Sequence, residues 1–138
     1  MMAKIRDSGM PEEDYWNSFF RVDDILDVFM VGAELDKVVD IGAGYGTFSL
    51  PVAQRISGVV YAIDIETELL SKLFQKSLKL GIPNIIPRRR DVVEQGTGCD
   101  DSSIDLVLLF NILHCKHPEI LLEEAYRILK FGGRLAVM

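Results

Sequence analysis

Three glycines at alternate positions, Gly42, Gly44 and Gly46, follow the apolar run Lys37 to Ile41, which carries an acid, Asp40, near its end. Glycine accepts positive φ and puts no Cβ between backbone and ligand, so G-x-G-x-G after a strand suits a nucleotide-like ligand. Asp64 ends a second apolar run, close to the offset of about 20 residues at which a carboxylate accepts bonds from two ribose hydroxyls. A tight strand-to-helix turn without a ligand would use the same glycines, so the loop alone decides little. Thr47 narrows the choice. The dinucleotide fingerprint G-x-G-x-x-G/A needs Gly or Ala at that position, which disfavours a nicotinamide or flavin dinucleotide.

These residues need a frame that brings several strand ends together. From Pro11, PEEDYWNSFFRVDDILDVFMV opens on a proline and acids and repeats apolar residues at helical spacing. It predicts one helix, or two broken near Arg21 to Asp23; residues 1 to 10 show no period. Strands are expected over Lys37 to Ile41, Val59 to Ile63, Ile85 to Arg89, Ile104 to Phe110 and Arg134 to Met138. Helices are expected over Phe48 to Ile56, Glu66 to Leu80 and Glu119 to Leu129. The second should bury Leu69, Leu70, Leu73, Phe74 and Leu78 and close at Gly81. Pro51 fits the first of them if that helix begins around Thr47 to Ser49, because first-turn residues have no intrahelical acceptor for their N–H.

Strands alternating with helices imply parallel pairing, since parallel neighbours need long crossovers. The run IDLVLLF fits a strand covered on both faces. The expected class is α/β, a doubly wound, mostly parallel sheet of five strands with an N-terminal helical segment. Ligands of such sheets bind beyond the carboxyl ends of the strands.

With 138 residues there is room for about one domain. A net charge of −6 argues against nucleic acid as the main partner, because phosphate binding needs clustered Lys and Arg. No stretch approaches the roughly 20 apolar residues of a membrane span, and no signal-peptide core stands at the start, so a cytoplasmic protein without membrane contact is expected. Cys99 and Cys115 have neither paired metal-ligand spacing nor disulfide-scaffold density and read as reduced and structural.

VVDIGAGYGTFSLPVA resembles the first motif of the class I S-adenosylmethionine-dependent methyltransferases, a strand ending in an acid and then D/E-x-G-x-G-x-G. YAIDIE, RRRDVV, SSIDLVLLFNILHC and RILKFGGRLAVM are similar to later pieces of that family, in the same order. The resemblance covers residues 38 to 138, and the small-molecule branch is nearest. It implies a Rossmann-like fold, S-adenosylmethionine as cofactor and methyl transfer to a small-molecule acceptor. Residues 1–36 would then form a helical lid and residues 37–138 the core.

Carried over position by position, the resemblance places Asp40 and the backbone of Gly42, Gly44 and Gly46 round the methionine part of the cofactor. It gives Asp64 the ribose hydroxyls, sets Ile65 against the adenine, gives Asp91 the adenine amino group, and lets Val92 cover the base. The backbone at Asn111 would face the methionine ammonium, and Tyr15 and Trp16 would close over the sulfonium. Each has a plain structural alternative: Asp40 capping the turn, Asp91 pairing with Arg88, Arg89 or Arg90, Trp16 packing on the sheet. The three arginines read as a solvated strand end. His114 is the candidate general base, since histidine titrates near neutrality; the alternative is a loop histidine with a structural hydrogen bond. His117 precedes Pro118 at a helix start and reads as surface.

The exit of the fourth strand reads N-I-L-H rather than N/D-P-P-Y, and no Pro-Cys pair is present. Both absences favour a small metabolite over DNA. Phe131 replaces the family's proline before Gly132 and Gly133, and the helix and hairpin that normally follow the fifth strand are missing. The expectation is a fragment of a longer enzyme, or self-association through an exposed fifth strand. Two further functions stand beside methyl transfer: a non-catalytic S-adenosylmethionine-binding module and, less favoured, a nicotinamide-dependent oxidoreductase.

Overall fold

The computed structural model describes residues 21–110, 112 and 115–138. Tyr15, Trp16, Asn111 and His114 lie outside the described residues, as do the first ten residues of the expected N-terminal helix.

Five parallel strands form one sheet: β1 (Lys37–Ile41), β2 (Val59–Asp64), β3 (Ile85–Arg89), β4 (Ile104–Leu109) and β5 (Leu129–Val137), in the order β3-β2-β1-β4-β5. From β1 the chain winds outward through β2 to β3, then returns to β4 on the other side of β1. The strand order therefore reverses between β1 and β4, where a crevice opens at the carboxyl ends. Central β1 and β4 are buried along nearly their whole length, whereas β5 at the edge is mostly exposed.

Side chains alternate across each strand, so the sheet feeds two cores. Val38, Leu106, Leu108 and Phe110 face α1 (Val22–Val28), α2 (Ser49–Arg55) and α3 (Thr67–Lys79), which contribute Leu26, Val52 and Leu73. Val39, Ile41, Val107 and Leu109 face α4 (Val92–Gln95) and α5 (Pro118–Ile128), which contribute Val92, Leu121, Ala125 and Ile128. Helix α1 is tied down from far along the chain. Arg134 of β5 donates to Phe29 O (2.9 Å) and Met30 O (3.2 Å), carbonyls just past the helix end that lack intrahelical partners. Phe29 and Phe48 both pack against Phe110 at the exit of β4.

Three expectations need correction. Helix α3 buries Leu69, Leu70, Leu73 and Ser77, while Phe74 and Leu78 are 43% and 65% exposed. The i, i+4, i+8 line through 69, 73 and 77 faces the sheet, and residues 74 and 78 are turned about 100° from it. Strand β5 begins at Leu129 rather than Arg134. Ile104 pairs with Leu129 and Leu106 with Arg134, so Lys130 to Gly133 form an irregular bulge inside the strand, with Gly132 at φ +84 and Phe131 fully exposed. The single turn α4 was not expected at all, being too short to show a helical period.

Candidate cofactor site

The glycine loop is wrapped round the end of β2. Gly42 N–H and Ala43 N–H both donate to Ile63 O, at 2.8 and 2.9 Å, and Gly46 N–H donates to Ala43 O at 3.0 Å. Gly44 N–H donates to Asp64 Oδ2 at 2.8 Å. This path requires positive φ at all three glycines, +77, +56 and +83. At Gly42 there is also no room for a side chain, since a Cβ would sit 3.1 Å from Ile112 Cδ1. These four N–H groups are thus consumed inside the protein. A phosphate cradle needs them pointed at the ligand. Beyond the loop, Pro51 is the third residue of α2, in its first turn, between the bonds from Leu50 N–H to Gly46 O (3.1 Å) and from Val52 N–H to Phe48 O (3.0 Å), a position where the missing proline N–H costs little.

Two acids sit beside this loop. Asp40 is 3% exposed, with Oδ2 accepting the Ser49 hydroxyl at 2.6 Å. Burial pushes its carboxyl up to about 7; the Ser49 bond acts against the rise and neighbouring Asp64 adds to it. Asp64 is 7% exposed, its Oδ2 bonded to Gly44 N–H and its Oδ1 to Glu66 N–H at 2.9 Å. Among the described residues, neither carboxylate has a Lys, Arg or His in an ion pair. Buried carboxylates ordinarily pair with a cation or a metal, so this corner of the fold suits a positively charged ligand.

A cavity of about 500 Å³ opens beyond the strand ends. Of the residues singled out in the sequence, Gly42, Asp64, Ile65, Asp91 and Val92 line it, while Asp40, Gly44 and Gly46 stand outside its lining. Ile41 and Ile63 contribute its floor, and Val93, Ile112 and Leu121 add apolar wall. Cys115, read as structural though close to the site, lines it too, as do Lys116 and Arg90, which were missed. Their only sequence signal was position: the first two follow β4 and the third precedes Asp91. Asp91 caps α4, accepting Glu94 N–H at 3.3 Å, a role its sequence context did not suggest, and among the described residues no ion pair joins it to Arg88, Arg89 or Arg90.

Those arginines are not a merely solvated strand end. Arg88 donates to Thr97 O and lies over the Tyr61 ring, and Arg90 donates to Gly96 O and Gln95 O, bracing the loop after α4. From the other side Glu124 accepts Thr97 N–H at 2.7 Å and its hydroxyl at 2.8 Å. Arg127 holds the Glu124 carboxyl down to about 2. His117 is exposed, 3.4 Å from Glu119. Cys99 and Cys115 are free thiols, no group of His, Cys, Asp and Glu among the described residues is arranged to hold a metal, and no described helix is long and apolar enough to cross a membrane.

An all-parallel sheet with this strand order, a glycine turn after β1 and an acid at the end of β2 define a Rossmann-like cofactor-binding domain. The chain belongs to the class I S-adenosylmethionine-dependent methyltransferases, whose methyltransferase-domain profile matches residues 38–133. It is 33% identical over 106 residues to a ubiquinone/menaquinone biosynthesis C-methyltransferase of Neisseria meningitidis, covering 75% of this chain and 42% of that protein. An uncharacterized methyltransferase-like protein of Schizosaccharomyces pombe is 29% identical over 114 residues, covering 83% of this chain and 41% of its own length. The chain thus spans about two fifths of the length of these curated relatives. Among solved structures, a SAM-dependent methyltransferase from Aquifex aeolicus superposes with a TM-score of 0.76 at 26% identity, over 86% of this chain and 63% of that one. A geranyl diphosphate methyltransferase in complex with SAM shares the fold, with a TM-score of 0.76 at 17% identity, over 88% of this chain and 48% of the other.

Proposed function

We propose that the protein transfers the methyl group of S-adenosylmethionine to a small-molecule acceptor. The observation that carries the reading is the pair of buried acids, Asp40 and Asp64, without a cation partner among the described residues, beside a loop whose three glycine N–H groups are already bonded. A pyrophosphate would meet carboxylates there and few donors; a ligand bearing ammonium and sulfonium charge would neutralise them. The family membership supports the same cofactor.

In this reading Asp64 accepts the ribose hydroxyls on the lone pairs its backbone bonds leave open, since each carboxylate oxygen has two. Ile65 and Val92 flank the adenine, Asp91 meets its amino group, and Asp40 with the glycine backbone encloses the methionine end. The Asn111 backbone faces the ammonium, Tyr15 and Trp16 belong to a lid over residues 1–36, and His114 takes the acceptor's proton when attack requires its loss. S-adenosylmethionine supplies an activated methyl on a good leaving group. The chain's own task is to align that methyl with the acceptor and exclude water, for which Ile112, Val93 and Leu121 provide apolar wall. The apolar lining suits a small organic acceptor, and the name of the Neisseria relative, a ubiquinone/menaquinone biosynthesis C-methyltransferase, is consistent with one. The cytoplasm is the proposed location, and residues 37–138 the cofactor-binding core.

Calorimetry with S-adenosylhomocysteine and NAD tests the cofactor. Binding of the first and not the second is expected; tight NAD binding without a response to S-adenosylhomocysteine would overturn the reading. A methyl-transfer screen over metabolite pools then separates an enzyme from a non-catalytic binding module.

A further inference from the structure

Asp64 does more than face the cavity. Its Oδ2 holds Gly44 N–H at 2.8 Å and its Oδ1 holds Glu66 N–H at 2.9 Å, so one buried side chain joins the loop after β1 to the turn between β2 and α3. Gly44, at φ +56, lies midway along the glycine loop, and its N–H has no backbone acceptor in the surrounding bonds, unlike those of Gly42, Ala43 and Gly46. The middle of the loop therefore depends on a side chain where its flanks depend on main chain.

We propose that Asp64 is a positioning residue for the glycine loop as well as a ribose acceptor, so that the ribose end and the methionine end of the site are set by one carboxylate. This rests on the cofactor reading above. Each oxygen has one lone pair engaged by the backbone and one left for a hydroxyl. Ribose binding then fixes the orientation of the carboxylate, which fixes Gly44, and with it the loop against which the amino acid part lies. An acid that served the ribose alone would leave the loop indifferent to its replacement.

The two roles separate with ligands that share the nucleoside and differ in the amino acid part. Adenosine and S-adenosylhomocysteine are titrated against the parent chain, Asp64→Asn and Asp64→Glu. In Asp64→Asn one of the two backbone donors must face an NH₂ group, and in Asp64→Glu the carboxylate stands one methylene further out and cannot meet both donors as before. The expected result is that both variants lose S-adenosylhomocysteine affinity by about tenfold more than adenosine affinity, the scale of a charge-assisted hydrogen bond. Equal losses for the two ligands would overturn the proposal.

Amide hydrogen exchange read without ligand supplies a second arm. Gly44 N–H should exchange about tenfold or more faster in the variants, while Val39 and Leu108 in the central strands stay protected. Unchanged Gly44 protection would overturn the clamp. Failure of the parent chain to bind S-adenosylhomocysteine at all would instead overturn the cofactor reading, and the exchange arm would still decide the clamp.

Discussion

On the β1–β2 side of the cavity, Asp40 and Asp64 are buried with only N–H and O–H donors to answer them. On the β3–α5 side, Glu124 meets Arg127, Arg127 also meets Asp101, and Arg88 and Arg90 end on backbone carbonyls. On this second side Glu124 and Asp101 are both answered by Arg127 within the protein. The first retains negative charge that its own residues do not balance, and burial there raises a carboxyl pKa instead of forming a salt bridge. The contrast separates charges that hold shape from buried acids that wait for a ligand, on two sides of the same sheet.

The largest expected effect belongs to the unbalanced side. An acid whose folded pKa of about 7 lies above its ordinary 3.8 stabilises the fold at low pH; that contribution is full below about pH 4 and is lost as pH rises through about 7. Asp40→Asn should therefore be more stable than the parent at pH 8, by on the order of 3 kcal/mol, and should lack the parent's decline between pH 4 and 7. Chemical denaturation at several pH values checks this. Identical pH slopes in the two proteins would place Asp40 in the balanced class and erase the contrast.

Next comes the loop itself. Gly46 sits at φ +83, and a Cβ there would lie 3.0 Å from Leu73 Cδ1 and 3.2 Å from Leu50 Cδ1. Gly46→Ala should cost about 2 kcal/mol in strain and repacking, read as a lowered denaturation midpoint, with weaker S-adenosylhomocysteine binding. An unchanged midpoint would mean the loop is not held as tightly as its bonds suggest.

The balanced side should respond least. Glu124→Gln weakens the Arg127 pair and should cost about 1 kcal/mol, while S-adenosylhomocysteine affinity stays within about twofold of the parent's. Arg127 holds Glu124 near 2, below its ordinary 4.5, so its contribution is present above about pH 4.5 and lost as pH falls towards 2. That is the opposite direction to Asp40. A large fall in cofactor affinity in this variant would show that the brace shapes the site after all.

Central strands such as Lys37–Ile41 were legible because parallel central strands are apolar almost throughout; Ile85–Arg89, at the sheet edge and ending in Pro-Arg-Arg, also lies where it was expected. The start of β5 was not, because glycines that read as a turn form a bulge inside the strand once Ile104 pairs with Leu129. On α3, Phe74 and Leu78 are as apolar as their neighbours; only the direction of the sheet decides that Ser77 is the buried residue. In the site, the types and spacing of Gly42, Asp64 and Asp91 pointed to strand ends that one cavity joins. The Asp64–Gly44 bond was invisible because it spans 20 residues and depends on where a backbone N–H points. Arg90, Cys115 and Lys116 enter the cavity through loop paths that carry no period.

Whether the unbalanced acids await a cation can be read by titrating S-adenosylmethionine at pH 7 in two buffers of different ionisation enthalpy. A positive ligand beside Asp40 favours its ionised form, so the parent should release a measurable fraction of a proton on binding, and Asp40→Asn should release none. Binding without proton release in the parent, or with equal release in the variant, would contradict the account.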